Sequence, residues 1–312
     1  MLIDVPGVLL GHRSLGDTGV SVVVVPGGAV AAVDVRGGGP GTRETDLLEP
    51  HNTVQQVHAV VLSGGSAFGL ASADGVMRAL EEREIGFPVL GEEIPGPRVP
   101  IVPGAVIFDL LVGDASHRPT AADGYAAVQA AFGEPQTESG SVGAGCGATA
   151  GVLRGGFGQS SQKVGGYTVA AGVVANPVGA VIDKETGRFW GDSAVPAVDP
   201  GRFAEQKGLL TKLNTTIGVI ATDAPVTKAQ AKRLAMTGHD GLARAIRPAH
   251  SPLDGDTLFA LATGNGIGVG IEEMIALSTA AADVVCAAIV DAVVHASSGY
   301  GLASYAQLRD CQ

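Results

Sequence analysis

Apolar positions are patterned most regularly from Thr215 onward. Residues 215–222 form a continuous run rich in Val and Ile, closed by Asp223 and Pro225, which predicts a buried strand. Residues 227–246 change to apolar spacing at i, i+3 and i+4 with Thr227 as N-cap, and predict a helix. A second apolar run at 256–263 predicts another strand, the glycine loop GNGIGVG follows, and residues 272–297 predict a long helix. Strand, helix, strand, helix in that order implies sheets covered by Ala-rich helices.

The rest of the chain is less regular. VSVVVV and AVAAVDV, within residues 19–36, flank Pro26-Gly27-Gly28 and predict a hairpin. VHAVVLSGG predicts a strand that delivers the chain into a helix from about Ser66 to Glu84. A proline-studded connector (91–103) leads to the apolar AVIFDLLV, then a short helix at 121–132, a long glycine region and the apolar run YTVAAGVVANPVGAVID. Residues 187–212, with Trp190, scattered charges, Pro196 and Pro200, predict a surface linker. Met274 to Ala296 is apolar almost throughout, but Asp283, Asp291 and His295 interrupt it and Glu272-Glu273 precede it. A buried core helix is expected there rather than a membrane span.

Composition narrows the function. Aromatic residues make up only 4% while glycine numbers 47, so the interior is built from Ala, Val, Leu and Ile close against glycine backbone. A net charge of -11 without any Lys/Arg cluster argues against nucleic acid and anionic membranes as partners. Cys146, Cys286 and Cys311 have neither CxxC nor His-rich spacing, which argues against a disulfide framework or zinc site. No basic region followed by an apolar one opens the chain, so a cytoplasmic protein is expected. Neither C-terminal strand runs into a GxGxxG turn; no cofactor and no metal are expected, and the glycine loop before the last helix is a weak phosphate signal.

KLNTTIGVIATDA places an Asn and two threonines at the head of a buried strand. A turn with a strand-opening Thr would account for them. The sharper reading makes Thr215 a nucleophile within the chain: its hydroxyl attacks the carbonyl of Asn214, the acyl group moves from N to O, and hydrolysis of the ester separates the two residues. The freed α-amine, with an ordinary pKa of about 7.7 to 8.0, then serves as general base to the adjacent hydroxyl. Asp254 and Asp256, at the start of the next strand, are two residues apart and share one face in extended geometry, where they could orient the amine and hydroxyl. Asn176, between two apolar runs, is a candidate oxyanion donor. Turn formation is the structural alternative for both. Cys146 has no His nearby and reads as a packed small residue.

RGGGPGTRETDLL, VLSGGSAFGL, GSVGAGCGATAG, RGGFG, NTTIGVIATDA and DGDTLFALATGN, in that order over residues 5 to 298, resemble the DmpA-type L-aminopeptidase/D-amidase-esterase family, which includes the aminohexanoate-oligomer (nylon) hydrolases. The resemblance implies a single αββα sandwich related to the N-terminal-nucleophile hydrolases, cut into an α chain of residues 1–214 and a β chain of residues 215–312. It places the nucleophile on Thr215, the paired acidic positions on Asp254 and Asp256, as in the nylon hydrolases, and the oxyanion Asn on Asn176. It also implies a tetramer of cleaved αβ units and a small amide or peptide substrate. The family's Lys is replaced by Arg154, a permanently charged donor that cannot shuttle protons, with Lys163 as a nearby substitute. Phe108 stands where several relatives have Tyr. Acyl transfer of the ornithine acetyltransferase type, or a non-catalytic assembly role, are the alternatives.

Overall fold

A computed structural model describes residues 1–209 and 213–309; the last three positions of the 187–212 segment and Cys311 lie outside them. In chain order the strands are β1 (Leu9–Ser14), β2 (Gly19–Val35), β3 (Thr42–Arg43), β4 (Gln56–Ser63), β5 (Phe87–Pro88), β6 (Arg98–Val99), β7 (Gly104–Val106), β8 (Thr149–Ala150), β9 (Leu153–Arg154), β10 (Gly156–Val164), β11 (Tyr167–Ala175), β12 (Ile217–Thr222) and β13 (Thr257–Ala262). The α-helices are α1 (Ser72–Glu81), α2 (Ala121–Ala131), α3 (Pro200–Ala204), α4 (Lys228–Ala245), α5 (Ile271–Val294) and α6 (Tyr305–Arg309).

Nine strands form one hydrogen-bonded sheet in the order β10-β11-β12-β13-β2-β4-β7-β3, with β1 beside β2. β2 is the strand on which that sheet folds over. Its first half pairs with β1 and β4, and its second half pairs with β13. Val20, Val22 and Val24 pack toward α1 and α2, whereas Val30 and Ala32 pack toward α4 and α5. The intervening odd-numbered side chains, Val23, Val25, Ala29, Ala31 and Val33, all enter a middle core shared with Val60, Val174, Val219 and Phe259. Helices, sheet half, sheet half, helices: this is the expected αββα layering, made from a single folded sheet.

Pro26-Gly27-Gly28 therefore does not close a hairpin. The advance from Val24 to Ala29 on β2 matches only the step from Ala59 to Val57 on β4, so the surplus residues form a bulge and the strand continues in its original direction. Gly28, at φ 77°, supplies a backbone conformation costly for other residues. The 187–212 segment also departs from a surface linker. Phe189, Val198 and Phe203 are buried in the α4/α5 core, and Phe189 meets Tyr305 edge to face at 5.1 Å.

β12 and β13 are parallel and joined by α4, whose Thr227 cap accepts from the Gln230 amide at 3.2 Å while Gln230 Oε1 accepts from the Thr227 amide at 3.0 Å. α5 is long and apolar enough to cross a membrane, yet two thirds of its most apolar window is buried, against α4, β10 and β11. Of AVIFDLLV only Ala105 and Val106 lie in a strand, β7; Phe108 and Asp109 leave the sheet. The helix expected from Ser66 begins as a 3₁₀ segment, Ser66–Ala71, before α1.

Candidate active site

The sheet ladder assembles the site. β11 is antiparallel to β12 with Val174 opposite Ile217, so the residues just past one strand and just before the other lie side by side. The Thr215 amide extends that ladder by donating to the Asn176 carbonyl at 2.7 Å. On the other flank β13 runs parallel to β12, and a single bridge sets Asn214 beside Asp254. Gly255 thus arrives opposite Thr215, and its amide donates to Thr215 Oγ1 at 3.2 Å. A Cβ on Gly255 would stand 2.8 Å from that oxygen, so the approach requires glycine. The buried Thr215 hydroxyl lies against the carbonyl of Asn214.

Both carboxylates are buried and held by neighbouring donors. Asp254 accepts from the amides of Val178 and Ser251, each at 3.1 Å. Burial is the main cause that raises its pKa above the ordinary carboxyl value; the neighbouring Asp256 charge adds to it and the hydrogen bonds oppose it. Asp256 Oδ1 accepts from the Thr216 amide at 2.8 Å, and its Oδ2 meets His250 Nδ1 at 2.8 Å. Asp256 thus holds the backbone at Thr216, while Asp254 meets Asn214 through a backbone bridge and spends its carboxylate on Val178 and Ser251.

Asn176 is fully buried. Its Oδ1 accepts from the Thr149 amide at 2.8 Å and from Thr149 Oγ1 at 3.2 Å, while its Nδ2 donates to the Phe108 carbonyl at 3.1 Å. Of the two Nδ2 hydrogens, one is thereby committed and the amide plane is fixed. Phe108 contributes its carbonyl here, and its side chain lines a cavity of 350 Å³ beside Thr215 together with Val106, Leu213 and Leu253.

Arg154 is brought near the site and Lys163 is not. Arg154 is buried on the rung directly opposite Thr149, which puts the two side chains on one face of the short β8/β9 ladder. Its Nη2 donates to the Cys146 carbonyl, its Nε and Nη1 have no partner among the described residues, and the Tyr300 ring lies 5.4 Å away. Burial lowers its pKa from the ordinary guanidinium value. Lys163 pairs with Thr168, seven residues along β11 from the Ala175 end that carries Asn176, a separation of roughly 23 Å at the usual strand rise. Its Nζ donates to Thr168 Oγ1 at 2.6 Å. Proximity in sequence suggested Lys163 as a substitute for the missing family Lys, but β10 carries it to the opposite end of the sheet.

Thr149, Gly255, His250 and Asp109 complete the neighbourhood and were not individually singled out by sequence. Asp109, adjacent to Phe108, accepts from the Gly65 amide and from Thr18 Oγ1, both at 2.7 Å. Burial is the main cause that pushes its pKa up to about 6; these hydrogen bonds oppose the rise and the Asp17 charge adds to it. The folded chain therefore binds this proton more tightly than the unfolded one. The resulting stability is complete below pH 3.8 and is lost as pH rises through about 6, a change of about 3 kcal/mol from this group. Urea unfolding across pH 4 to 7 should show that decline in the wild type, and Asp109→Asn should flatten it.

A buried hydroxyl just ahead of β12, between the two halves of the folded sheet, with a backbone N–H donating to it and a buried Asn on the neighbouring strand, defines an amide-bond hydrolase of the N-terminal-nucleophile fold class. The chain belongs to peptidase family S58, whose sequence profile matches residues 1–305. It is 49% identical, over 97% of this chain and 92% of the relative, to an uncharacterized aminopeptidase of Mycobacterium leprae. It is 34% identical to the 6-aminohexanoate-oligomer endohydrolase of Paenarthrobacter ureafaciens, over 83% of this chain and 74% of that one. Among solved structures, a Burkholderia sp. beta-aminopeptidase superposes with a TM-score of 0.74 at 25% identity, covering 98% of this chain and 91% of its own. The L-aminopeptidase D-Ala-esterase/amidase of Ochrobactrum anthropi, described as a variant of the Ntn hydrolase fold, shares the fold with a TM-score of 0.76 at 21% identity, covering 97% and 90%. The family and fold expected from the sequence both hold.

Proposed function

We propose that the chain cuts itself between Asn214 and Thr215 and then hydrolyses small amides or peptides with Thr215 as nucleophile. The observation that carries this is the Thr215 hydroxyl, buried against the Asn214 carbonyl while the Gly255 amide donates to its oxygen. That donor stabilises negative charge as it develops on Oγ1. In the first reaction Oγ1 bonds to the Asn214 carbonyl carbon, the C–N bond to Thr215 breaks, and the hydroxyl proton passes to the departing nitrogen. Water then hydrolyses the ester, which leaves Asn214 as a carboxylate and Thr215 with a free amine.

In each later turnover the same oxygen attacks a substrate carbonyl, the amine takes the hydroxyl proton and passes it to the leaving nitrogen, and water releases the acid. The uncommitted Nδ2 hydrogen of Asn176 serves the oxyanion. Asp254 and Asp256 offset the charge of the amine when it is protonated and hold the segment that carries it. Arg154 adds a fixed positive charge behind Thr149.

The two fragments stay together in this reading, because β12 of the C-terminal fragment lies between β11 and β13, and β13 in turn pairs with β2. The names of the relatives support amino-terminal peptides and aminohexanoate oligomers as the substrate range. Tetramers of the cleaved units belong to the same proposal; Ile271 and Ile275, exposed on adjacent turns of α5, support an apolar contact between copies.

Active enzyme on a denaturing gel should give fragments of residues 1–214 and 215–312, the second with the N-terminal sequence Thr-Thr-Ile. Product formed from an amide substrate should be the free acid, with added ornithine leaving the yield unchanged. An intact chain with full amidase activity would overturn the mechanism.

A further inference from the structure

Self-cleavage and turnover use one nucleophile and one oxyanion donor, both fixed in a buried network. The carbonyl carbon of Asn214 and that of a substrate therefore occupy the same point, and the groups that hold Asn214 are those that meet a substrate's acyl portion.

Asn214 is held unevenly. Its backbone amide donates to the Leu253 carbonyl at 3.4 Å, the one acceptor it has among the described residues. Its side-chain Nδ2 donates to Thr149 Oγ1 at 3.1 Å, to the Pro177 carbonyl at 3.1 Å and to the Thr149 carbonyl at 3.4 Å. All three are acceptors toward this recess, since the Thr149 hydroxyl spends its own proton on Asn176 Oδ1. Thr149 and Asn214 are both buried, so water is a poor substitute for the missing donor.

Resting on the assignment of Thr215 as nucleophile, the geometry points to a subsite, vacated when Asn214 departs, that selects acyl groups with a neutral carboxamide on the second carbon beyond the scissile carbonyl. Asparaginyl amides are the simplest members of this class. A leucyl group has nearly the same shape but takes the donor away from the Thr149 hydroxyl and carbonyl oxygens, while the Pro177 carbonyl keeps only the Gly151 amide at 3.3 Å; an aspartyl group sets its carboxylate against the lone pairs of all three. Thr149 joins recognition to catalysis, because the oxygen that accepts from the carboxamide also holds the oxyanion amide.

The test is kcat/KM for the p-nitroanilides of L-asparagine, L-leucine and L-aspartate on self-processed enzyme, alongside the self-cleavage rates of Asn214→Leu and Asn214→Asp. Asparaginyl should exceed leucyl by about tenfold and aspartyl by about a hundredfold or more. Self-cleavage rates should fall in the same order. Within a Thr149→Val variant the asparaginyl-to-leucyl ratio should shrink toward unity, and Thr149→Ser should restore it; a ratio taken within one variant is unmoved by a general loss of activity. Processed enzyme that cuts all three anilides equally, or none of them, overturns the subsite and leaves Thr215 as the self-cleaving residue. A chain with no Thr-Thr-Ile terminus overturns both.

Discussion

A Thr215→Ala chain will run as one uncut polypeptide and lose its amidase activity by roughly 10⁴-fold or more, the scale on which removal of a covalent nucleophile acts. The substitution removes only a hydroxyl and a methyl. The ladder bond from the residue 215 amide to the Asn176 carbonyl uses backbone atoms, as does the Gly255 amide that would lose its acceptor. The fold should therefore persist, with a circular dichroism spectrum like that of the wild type. Thr215→Ser retains the oxygen and should still cut and turn over. Intact mass after prolonged incubation separates the cases: a Thr215→Ala sample that cleaves at the same bond would assign the chemistry to another group.

Asn176→Ala should lower kcat by about 10² to 10³ with little change in KM, the cost of removing one preorganised oxyanion donor. The effect depends on the rigidity of the side chain. Thr149 fixes its oxygen and the Phe108 carbonyl fixes one of its hydrogens, so the other needs no reorganisation when charge develops. Asn176→Asp preserves the shape but supplies no N–H, and should be as slow as the alanine variant. Equal losses in KM and kcat would instead assign Asn176 to substrate binding. Self-cleavage should slow in both variants, because it passes through the same tetrahedral geometry.

The parts of this molecule legible in the sequence are those set by local periodicity. β12, α4, β13 and α5 follow the apolar spacing of residues 215–297 to within a few positions. Thr215 and the Asp254/Asp256 pair were readable because each heads a strand, and parallel neighbours bring their leading residues together. Pro26-Gly27-Gly28 misled because a reversing turn and a bulge use the same residue types; only the pairing partner distinguishes them. Phe189, Val198 and Phe203 lie in a stretch without a period, so their burial depends on the α4/α5 face they meet. Thr149 gains its importance from contacts with Asn176 and Asn214 far along the chain, His250 from a bond to Asp256 across a turn that apolar periodicity does not mark, and Lys163 failed because two residues near in sequence can stand at opposite ends of a sheet.

The bulge in β2 has a further consequence for how the chain can vary. Side chains of the same parity point to the molecule's middle before and after it, so it transmits an odd/even phase from the α1/α2 half to the α4/α5 half. Gaining or losing a single residue there would invert one half relative to the other and turn either Val23 and Val25 or Ala31 and Val33 toward the helices. Length changes in pairs preserve the phase; single ones exchange inside for outside along half a strand.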